Sequence, residues 1–352
     1  MNSWQLFTET KDIWNRMLDD IDKAQDTIEL EQYSFWDDTI GRKFLKMFEK
    51  KHHQGVKIRL ICDGYGSYPL FNSAYVAKLI KLGVEIVPFN PVSLVRPSSW
   101  FFHLHKKTLI LDSKIAWTGG LGLKNKFMNF KDTMARLEGP VVADILKSFE
   151  TVWRAVEEKN YYHSPKLIRE SQDLKFLVNY CGYGRKEIYE QMRQNIQNAE
   201  KSIYLTTSYF FPDRNFFQLI LDKARSGLDV KIILRGQDDE FLPVRFSTSY
   251  FHKALKANIG IYRYESAIIH AKTAIVDGKW ATIGSSNLDK FSFYYNMEAN
   301  ISSREPQFVS EVAHLFAENL KNCRQIMLKD WEKRPVFERV MEVVSWPIHN
   351  YL

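Results

Sequence analysis

The chain has 352 residues, of which 45% are hydrophobic and 26% charged, a balance that excludes an intrinsically disordered protein. Its length favours two domains over one. The formal net charge of +7 would concentrate an anionic partner, either lipid headgroups or nucleic acid. No run of about 18 apolar residues occurs, so a membrane-spanning helix is not expected. The amino terminus lacks a signal-peptide pattern and the three cysteines form no C-x-x-C pair, so we expect reduced thiols in the cytosol.

The first predicted elements are a strand, a helix and a second strand. The strands are expected at 27–30 and at 56–61, the latter directly after Gly55. Between them, four apolar residues recur at helical spacing: Ile40, Phe44, Met47 and Phe48. This order predicts two parallel strands joined by a right-handed crossover through the helix.

Residues 92–105 follow, with the sequence VSLVRPSSWFFHLH. The segment places Trp100 and Phe101 close to Arg96, a combination typical of a lipid headgroup boundary, where a ring inserts and the guanidinium meets phosphate. Two other interpretations stay open. The segment could be a buried loop that closes over an active site, or its aromatic rings could stack on nucleic-acid bases.

A set of reactive side chains comes next, in the stretch HKKTLILDSKIAWTGG. It contains His105, Lys107 and Asp112, which fit the pattern H-x-K-x4-D, and it ends in Gly119-Gly120. Side chains alternate along a strand, so His105 and Lys107 would lie on one face and could converge on one anion. A single motif of this kind is a weak signal, because three polar positions on a strand recur by chance.

The second half of the chain repeats the order of the first. Strands are predicted at 202–205 and, after Gly227, at 229–234. Residues at helical spacing lie between them: Phe216, Leu219, Ile220 and Lys223. A second H-x-K-x4-D motif, HAKTAIVDGKWATIGS, then starts 165 residues after the first one. It contains His270, Lys272 and Asp277, and it ends in Gly284-Ser285.

Two copies in equivalent contexts make chance a poor explanation. They predict an α/β protein of two similar domains, residues 1–165 and 166–352, related by a pseudo-twofold axis with the motifs at the seam. An apolar stripe at 332–352 is expected to form a helix that docks on the body or, as the second interpretation, lies on a membrane.

Paired histidine and lysine residues suit the transfer of a group at phosphorus. One imidazole can attack phosphorus and form a phosphohistidine, while the other protonates the leaving alcohol and later acts as a base. The lysines stabilise the charge on the phosphate oxygens. We predict no metal and no cofactor, and we expect His52, His53 and His103 at the surface or in the core.

Several segments of the chain carry a family resemblance: IELEQYSFWDD at 28–38, GVKIRLICDGYGS at 55–67, KDTMARLEGPVV at 131–142, IYLTTSYFFPD at 203–213, DVKIILRGQDD at 229–239 and FYYNMEAN at 293–300. With the two motifs, they make the chain similar to the phospholipase D superfamily and, within it, to the bacterial cardiolipin synthases. The resemblance implies two α/β/α sandwich domains with the active site at their interface.

The resemblance also implies roles for individual residues. His105 would be the nucleophile and His270 the general acid, while the motif lysines hold the phosphate. The motif aspartates would orient or support these groups, and Glu298 would buttress a histidine. The complete set of implied catalytic residues is His105, Lys107, Asp112, His270, Lys272 and Asp277, and the implied substrate-binding residues are Asn287, Glu298, Gly120 and Ser285.

The chain departs from the family pattern at two positions. Gly122 stands where the family usually has an asparagine, and Phe291 stands where it usually has an arginine. Asn125, three residues after Gly122, is a possible replacement for the missing amide. These departures bear on the choice of acceptor and on the rate, and they leave both motifs intact.

Together, these features predict a phosphatidyltransferase that makes cardiolipin from phosphatidylglycerol and contacts the anionic inner face of a bacterial cell membrane from the side. The aromatic segment at 92–105 favours a phospholipid over nucleic acid as the substrate. Two alternatives remain: a hydrolytic phospholipase D with the same catalytic residues, and a phosphodiesterase nuclease, which would bind DNA or RNA with a steep salt dependence.

Overall fold

Two eight-stranded sheets form the body of the protein. The computed structural model describes residues 2–161, 169–171, 173–182, 184–236 and 246–334. The predicted domain boundary after residue 165 and most of the apolar stripe at 332–352 therefore lie outside the described residues. Within those residues, no helix combines the length and the apolar character that are needed to cross a bilayer.

The first sheet is built from the first half of the chain. Its strands are β1 (Ser3–Glu9), β2 (Thr27–Gln32), β3 (Lys57–Asp63), β4 (Glu85–Phe89), β5 (Lys107–Leu111), β6 (Ile115–Gly119) and β7 (Phe130–Glu138). They are arranged in the order β4-β3-β2-β5-β6-β7-β1. The helices of this half are α1 (Thr10–Lys23), α2 (Thr39–His53), α3 (Tyr68–Phe71), α4 (Ala74–Leu82) and α5 (Pro140–Glu157).

The second half provides the other sheet. Its strands are β8 (Leu174–Asn179), β9 (Ser202–Thr206), β10 (Phe210–Phe211), β11 (Asp229–Arg235), β12 (Gly260–Tyr264), β13 (Ile268–Ile269), β14 (Thr273–Val276), β15 (Trp280–Gly284), β16 (Leu288–Asp289), β17 (Glu298–Ser303) and β18 (Cys323–Ile326). The sheet order is β18-β12-β11-β9-β14-β15-β17-β8, while β10 pairs with β16 and β13 joins the first sheet. The helices are α6 (Glu187–Gln197), α7 (Arg214–Arg225), α8 (Phe251–Lys256), α9 (Pro306–Lys321) and α10 (Leu328–Glu332).

The two sheets repeat one strand order, which confirms the predicted duplication. The series β4-β3-β2-β5-β6-β7-β1 corresponds to β12-β11-β9-β14-β15-β17-β8, and β18 extends the second sheet at its edge. The predicted parallel pairs are present, with Ile28 opposite Ile58 in the first half and Ile203 opposite Val230 in the second. Each H-x-K-x4-D motif contributes the first strand of a hairpin, β5-β6 or β14-β15, near the middle of its sheet.

The crossover helices of the two halves start at equivalent caps. The Asp38 carboxylate accepts hydrogen bonds from two backbone N–H groups in the first turn of α2, and Asp213 does the same for α7. Such caps satisfy amide groups that have no partner inside the helix. Beyond the cap of α2, Phe44 and Phe48 of the predicted apolar face are fully buried.

A large apolar cluster spans the two halves. It contains Ile110 and Phe149 from the first half together with Phe176, Ile283 and Phe308 from the second, all of them fully buried. Complete burial of such a side chain typically contributes about 1.5–3 kcal/mol. The contact between the halves is therefore a continuous hydrophobic core, and it fixes the two motif hairpins relative to each other.

Backbone hydrogen bonds cross the seam at two equivalent places. The N–H of His105 donates to the carbonyl of Met297 over 2.8 Å, and the N–H of His270 donates to the carbonyl of Lys131 over 2.7 Å. The same pairing makes β13 a neighbour of β7 in the first sheet. Glu298 follows Met297 in the chain, and Asp132 follows Lys131. The two backbone bonds therefore hold His105 beside Glu298 and His270 beside Asp132.

Candidate active site

A cavity of about 500 Å³ opens at the seam between the two halves. Both motif histidines, His105 and His270, line it, together with Lys107 and Asn287. Most of the other lining side chains are aromatic or cationic: Tyr33, His103, Lys124, Lys126, Phe127, Phe130, Tyr209, Phe211, Arg235, Phe246 and Phe291. The remaining ones are Ser34, Asp289, Ser292 and Asn296. The size suits a small ligand or the headgroup of a larger one.

The His105 ring is oriented by a carboxylate from the other half of the chain. Its Nδ1 atom lies 2.9 Å from Oε2 of Glu298, and both side chains are nearly or fully buried. Because a carboxylate only accepts, this bond assigns the Nδ1 proton and leaves Nε2 with its lone pair. Burial lowers the pKa of His105, and Lys107 lowers it further although Glu298 opposes both effects. A neutral imidazole of this kind can attack an electrophile.

The His270 ring has the equivalent arrangement in the other half. Its Nδ1 atom lies 2.6 Å from Oδ2 of Asp132, which is fully buried in the first half. Burial lowers the pKa of His270 well below its ordinary value, and Lys272 and Lys107 act in the same direction. Burial raises the pKa of Asp132 to about 6. Each half therefore provides a histidine to the cavity and a carboxylate to the opposite histidine.

Asp132 was not among the residues predicted from the sequence, although it lies in the matching segment 131–142. Its signal is positional: Asp132 follows Gly120 by 12 residues, and Glu298 follows Ser285 by 13. The neighbouring letters of the two segments differ, so the spacing from the motif was the one usable clue.

The motif lysines are buried beside the histidines. The Lys107 ammonium donates to the carbonyl of His105 over 2.6 Å and lies 5.2 Å from the centre of the Tyr33 ring. The Lys272 ammonium, which lies behind the cavity wall, donates to the carbonyl of His270 and to Oγ of Ser208. Burial lowers the pKa of Lys107 to about 7 and that of Lys272 to about 8. Both charges would be stabilised by an anion in the cavity.

The electrostatic character of the cavity is positive. Arg235, which sequence reasoning missed, is buried in its wall and donates to the Tyr209 hydroxyl over 2.8 Å. Lys124 and Lys126 line the opening. One acid, Asp289, also lines the cavity, but burial raises its pKa to about 7, so it carries only part of its charge near neutral pH. A phosphate group fits such surroundings.

The structure corrects the predicted role of the motif aspartates. Asp112 accepts backbone hydrogen bonds from Gln25, Asp26 and Thr27 over 2.7–3.1 Å, and it does not line the cavity. Asp277 makes the equivalent bonds to residues 200–202. The physical reason is distance, because seven residues of extended chain span about 23 Å and carry the aspartate to the far end of the strand. Both aspartates hold the turn before β2 or β9.

Of the four predicted substrate-binding residues, the cavity wall includes Asn287. Ser285 is buried behind it and donates a hydrogen bond to Glu298. Gly120 lies against Asp132, so closely that an added Cβ atom would be 2.2 Å from Oδ1. Gly120 and Ser285 therefore lie behind the carboxylates that hold the histidines rather than contact a ligand directly, which corrects their predicted role. Glu298 holds His105, as expected of a residue that buttresses a histidine, and does not line the cavity.

The two departures from the family pattern change the cavity wall. A Cβ atom on Gly122 would lie 2.5 Å from Cε2 of Phe127, so Phe127 occupies the space that an asparagine side chain would need. Asn125 does not replace the missing amide, because its side chain accepts from the N–H of Ile40 and caps α2. Phe291 lines the cavity in place of an arginine and faces Tyr295 with a ring-centre distance of 5.8 Å.

His103 also lines the cavity, which corrects its expected place at the surface or in the core. Its Nδ1 lies 3.3 Å from Asp63 Oδ1, and its Nε2 lies 3.2 Å from the carbonyl oxygen of Trp100. Burial opposes a charge on this ring, but the hydrogen bond to Asp63 raises the pKa of His103 above its ordinary value. Two acceptors around one imidazole favour the doubly protonated cation.

The comparison with protein families is decisive. A family model described as "Cardiolipin synthase, PLD-like domain" matches residues 17–153 and 192–320, most of the chain. The chain belongs to this family. A cardiolipin synthase of Geobacillus sp. (strain WCH70) is 30% identical over 97% of this chain and 70% of its own length. One from Clostridium perfringens (strain 13 / Type A) is 28% identical over 98% of this chain and 76% of its own length.

Two solved structures share the fold. The phosphatidylserine synthase of Haemophilus influenzae Rd KW20 is similar with a TM-score of 0.73 at 13% identity, covering 92% of this chain and 87% of its own. The polyphosphate kinase of Porphyromonas gingivalis is similar with a TM-score of 0.67 at 14% identity, covering 99% of this chain and 54% of its own. At these identities the similarity concerns the fold alone.

Proposed function

We propose that the protein is a phosphatidyltransferase that makes cardiolipin from two molecules of phosphatidylglycerol through a phosphohistidine. The observation that carries the proposal is the pair of buried histidines in one positive cavity, each with Nδ1 held by a carboxylate of the opposite half. Relatives named cardiolipin synthase, similar over nearly the whole chain, support the choice of substrate.

In the first step, Nε2 of His105 attacks the phosphorus atom of one phosphatidylglycerol. The N–P bond forms, the bond from phosphorus to the glycerol headgroup oxygen breaks, and His270 donates its Nε2 proton to that oxygen. Lys107 and Lys272 stabilise the charge on the phosphate oxygens in the transition state. Glycerol leaves, and the phosphatidyl group stays on His105.

In the second step, a hydroxyl group of the second phosphatidylglycerol attacks the same phosphorus atom. His270 accepts the proton of that hydroxyl group, the new P–O bond forms, and the N–P bond to His105 breaks. Cardiolipin is released with both histidines in their starting states. Water in place of the second lipid would give phosphatidic acid, so the yield of cardiolipin depends on how well the acceptor excludes water.

His270 must be protonated in the first step although its pKa is low in the empty cavity. The incoming phosphate brings a negative charge beside the ring, which favours the imidazolium form. Asp132, 2.6 Å from Nδ1, stabilises the same form. The proposal thus assigns proton uptake at His270 to the binding of the donor lipid.

We also propose that the two halves are the domains 1–165 and 166–352 and that the protein contacts the inner face of a bacterial membrane from the side. The repeated strand order supports the division, and the net charge of +7 supports contact with anionic lipids.

The test is lipid analysis with the purified protein. Vesicles of phosphatidylglycerol are expected to yield cardiolipin and glycerol in equal amounts, whereas phosphatidic acid as the main product would identify a hydrolase. Phosphatidylethanolamine mixed with phosphatidylglycerol tests the choice of acceptor. Cleavage of single-stranded DNA, with no lipid product, would identify a nuclease and overturn the proposal.

Two variants serve as controls for this assay. His105→Ala and His270→Ala should each lose product formation while keeping the fold, because each removes one ring of the pair. Appreciable cardiolipin formation by either variant would contradict a mechanism that needs both histidines.

A further inference from the structure

Large apolar side chains are exposed in one cluster beside the candidate active site. Of the ten large apolar side chains that the described residues expose, five line one groove, and Val95 and Phe101 are the chain neighbours of two of these. These seven are hereafter the groove face: Trp36, Tyr65, Tyr68, Leu94, Val95, Trp100 and Phe101. Leu94 and Val95 are 91% and 89% exposed. Contiguous exposed apolar surface of this kind typically marks a site of interaction.

The loop of the groove face is built to stand out into solvent. Oγ of Ser99 accepts from the N–H of Ser93 over 2.9 Å and donates to the carbonyl of Arg96 over 2.6 Å. The Trp100 indole donates to the carbonyl of Ser93 over 3.1 Å. These bonds tie Ser93, Arg96, Ser99 and Trp100 to one another, and Leu94 and Val95, which lie between Ser93 and Arg96 in the chain, are exposed to water. The interpretation of this segment as a buried loop is therefore wrong for Leu94, Val95, Trp100 and Phe101, which are exposed.

The groove face contains a groove that adjoins the catalytic cavity. Five side chains of the face line this groove of about 680 Å³: Trp36, Tyr65, Tyr68, Leu94 and Trp100. The groove and the cavity share Tyr33, Ser34 and Lys124 as lining residues. The Tyr33 ring lies 4.7 Å from the ring of His105, centre to centre. A ligand with its phosphate at His105 could therefore extend an apolar part directly into the groove.

The chemistry of the groove face fits a lipid surface. Tryptophan and tyrosine are enriched where a bilayer meets water, because their rings are apolar and their tips are polar. The indole of Trp36 follows this pattern, donating to the carbonyl of Gly66 over 2.9 Å with the Lys124 ammonium 4.5 Å from its ring centre. The positive charge of Lys124 and of the whole chain, +7, complements anionic headgroups.

We infer that the groove face docks on a lipid bilayer and that its groove receives the acyl chains of the phospholipid whose phosphate enters the cavity. The inference rests on the proposed function, because it assigns the groove to the substrate of that site. It adds where the membrane lies relative to the catalytic histidines and which part of the lipid the protein recognises besides the phosphate.

The first test measures binding to vesicles, which requires no turnover. The variant Val95→Asp/Phe101→Asp places two charges on the groove face at side chains that do not line the groove. The control variant Ile80→Asp/Leu82→Asp makes the same change at exposed apolar residues of α4, outside the groove and the cavity. Flotation is measured with vesicles of phosphatidylcholine and phosphatidylglycerol in equal parts and with vesicles of phosphatidylcholine alone.

Val95→Asp/Phe101→Asp is expected to weaken vesicle binding by at least about tenfold, because two apolar contacts with the bilayer are lost. The control variant should bind like the original protein. Equal loss in both variants, or no loss in either, would overturn the inference. A changed oligomeric mass of Val95→Asp/Phe101→Asp with unchanged vesicle binding would also overturn it, since the face would then be a contact between two copies of the chain.

The second test concerns the groove itself. With phosphatidylglycerols of increasing acyl length, all below the length that forms bilayers, KM of the original protein should fall as the chains grow. Tyr68→Glu should flatten this dependence, because a charge in the groove disfavours the chains. An unchanged dependence in Tyr68→Glu would show that the chains lie elsewhere.

The two hypotheses fail in distinguishable ways. If the original protein binds vesicles through the groove face but forms no lipid product, the proposed function fails and the docking surface stands. If it forms cardiolipin and Val95→Asp/Phe101→Asp binds vesicles as the original does, the docking surface fails and the proposed function stands.

Discussion

The Nδ1 atom of His105 lies 2.9 Å from Oε2 of Glu298, although 193 residues separate the two in the chain. The equivalent bond from His270 reaches Asp132 across 138 residues. Neither half therefore contains a complete histidine–carboxylate pair. The backbone bonds from His105 to Met297 and from His270 to Lys131 position both histidine–carboxylate pairs, because Met297 and Lys131 directly precede the two carboxylate residues in the chain.

Removal of either carboxylate charge should slow the reaction without changing the fold. We expect Asp132→Asn and Glu298→Gln each to lower kcat by about 10²- to 10⁴-fold, because the amide no longer stabilises the imidazolium or fixes its tautomer. The measurement is kcat with its pH profile, and Asp12→Asn, at an exposed surface ion pair, is the control. A kcat near that of the original protein in both variants would show that the carboxylates are not needed.

The covalent intermediate should form on His105. With a donor labelled in its phosphatidyl group and carrying a leaving group that needs no proton, such as p-nitrophenolate, His270→Ala is expected to accumulate label on the protein, since only the step that His270 assists as a base is then slowed. His105→Ala should carry no label after denaturation. Burial lowers the pKa of both histidines in the empty cavity, so both rings are available as neutral nucleophiles and the label decides between them. Label on His270 in the His105→Ala variant would reverse the two roles.

The rate should depend on pH through the motif lysines. The pKa values of Lys107 and Lys272 are about 7 and about 8 in the empty cavity, so kcat/KM should fall as the pH rises through this range and the ammonium charges are lost. Bound phosphate raises both pKa values, so the fall of kcat should lie at higher pH than that of kcat/KM.

The check is a pair of pH–rate profiles with a water-soluble phosphatidylglycerol, alongside the variant Lys272→Met. That variant should lose about 10²- to 10³-fold in kcat, as when a donor to a charged transition state is removed. Profiles of kcat and kcat/KM that decline at the same pH would argue against a role of the lysine charges in binding the phosphate.

The motif aspartates should affect stability rather than chemistry. Partial burial raises the pKa of Asp112, but the bonds from Thr27, Asp26 and Gln25 outweigh it and lower the pKa below the ordinary value. This stabilisation is present above the unfolded-state pKa and is lost as the pH falls through the folded-state value. We expect Asp112→Ala to lower the free energy of unfolding near neutral pH by about 1–3 kcal/mol.

Urea unfolding followed by tryptophan fluorescence measures this change, and kcat per folded molecule should stay within about twofold of the original. A large loss of kcat in a stably folded Asp112→Ala protein would restore a catalytic role for this aspartate.

Asparagine, the residue that the family usually has at this position, should not fit in place of Gly122. Because an added Cβ atom would lie 2.5 Å from Phe127, Gly122→Asn should lower the free energy of unfolding by about 1–3 kcal/mol. In a Phe127→Ala background the cost should be smaller, since the blocking ring is gone. Thermal or urea unfolding of the four proteins in this cycle gives the coupling. Equal costs in both backgrounds would mean that Phe127 does not exclude the asparagine.

Local patterns were enough to predict the repeated strands, the crossover helices and the two histidines. They failed where a role depends on a partner that is remote in sequence. The letters of the motif do not show that Asp112 lies at the far end of a strand, and nothing next to Asp132 identifies it as the partner of His270. His103 was misplaced because its position follows from Asp63, 40 residues away.

The groove face illustrates the same limit. Its side chains come from three separate segments, around Trp36, around Tyr65 and around Leu94, and each segment is ordinary on its own. The aromatic segment at 92–105 indicated a lipid contact, but the groove exists only when the fold brings the three segments together.

The exchange of acids across the seam also bears on the ancestry of the chain. A gene for one half alone would encode a histidine without its acid, so such an ancestor could work only as a pair of identical copies. Fusion of two such copies would make the pairing permanent and would allow each copy to diverge. Ser285 and Gly120 are equivalent positions that differ in this way. Ser285 donates a hydrogen bond to Glu298, whereas Gly120 has no side chain and leaves room for Asp132.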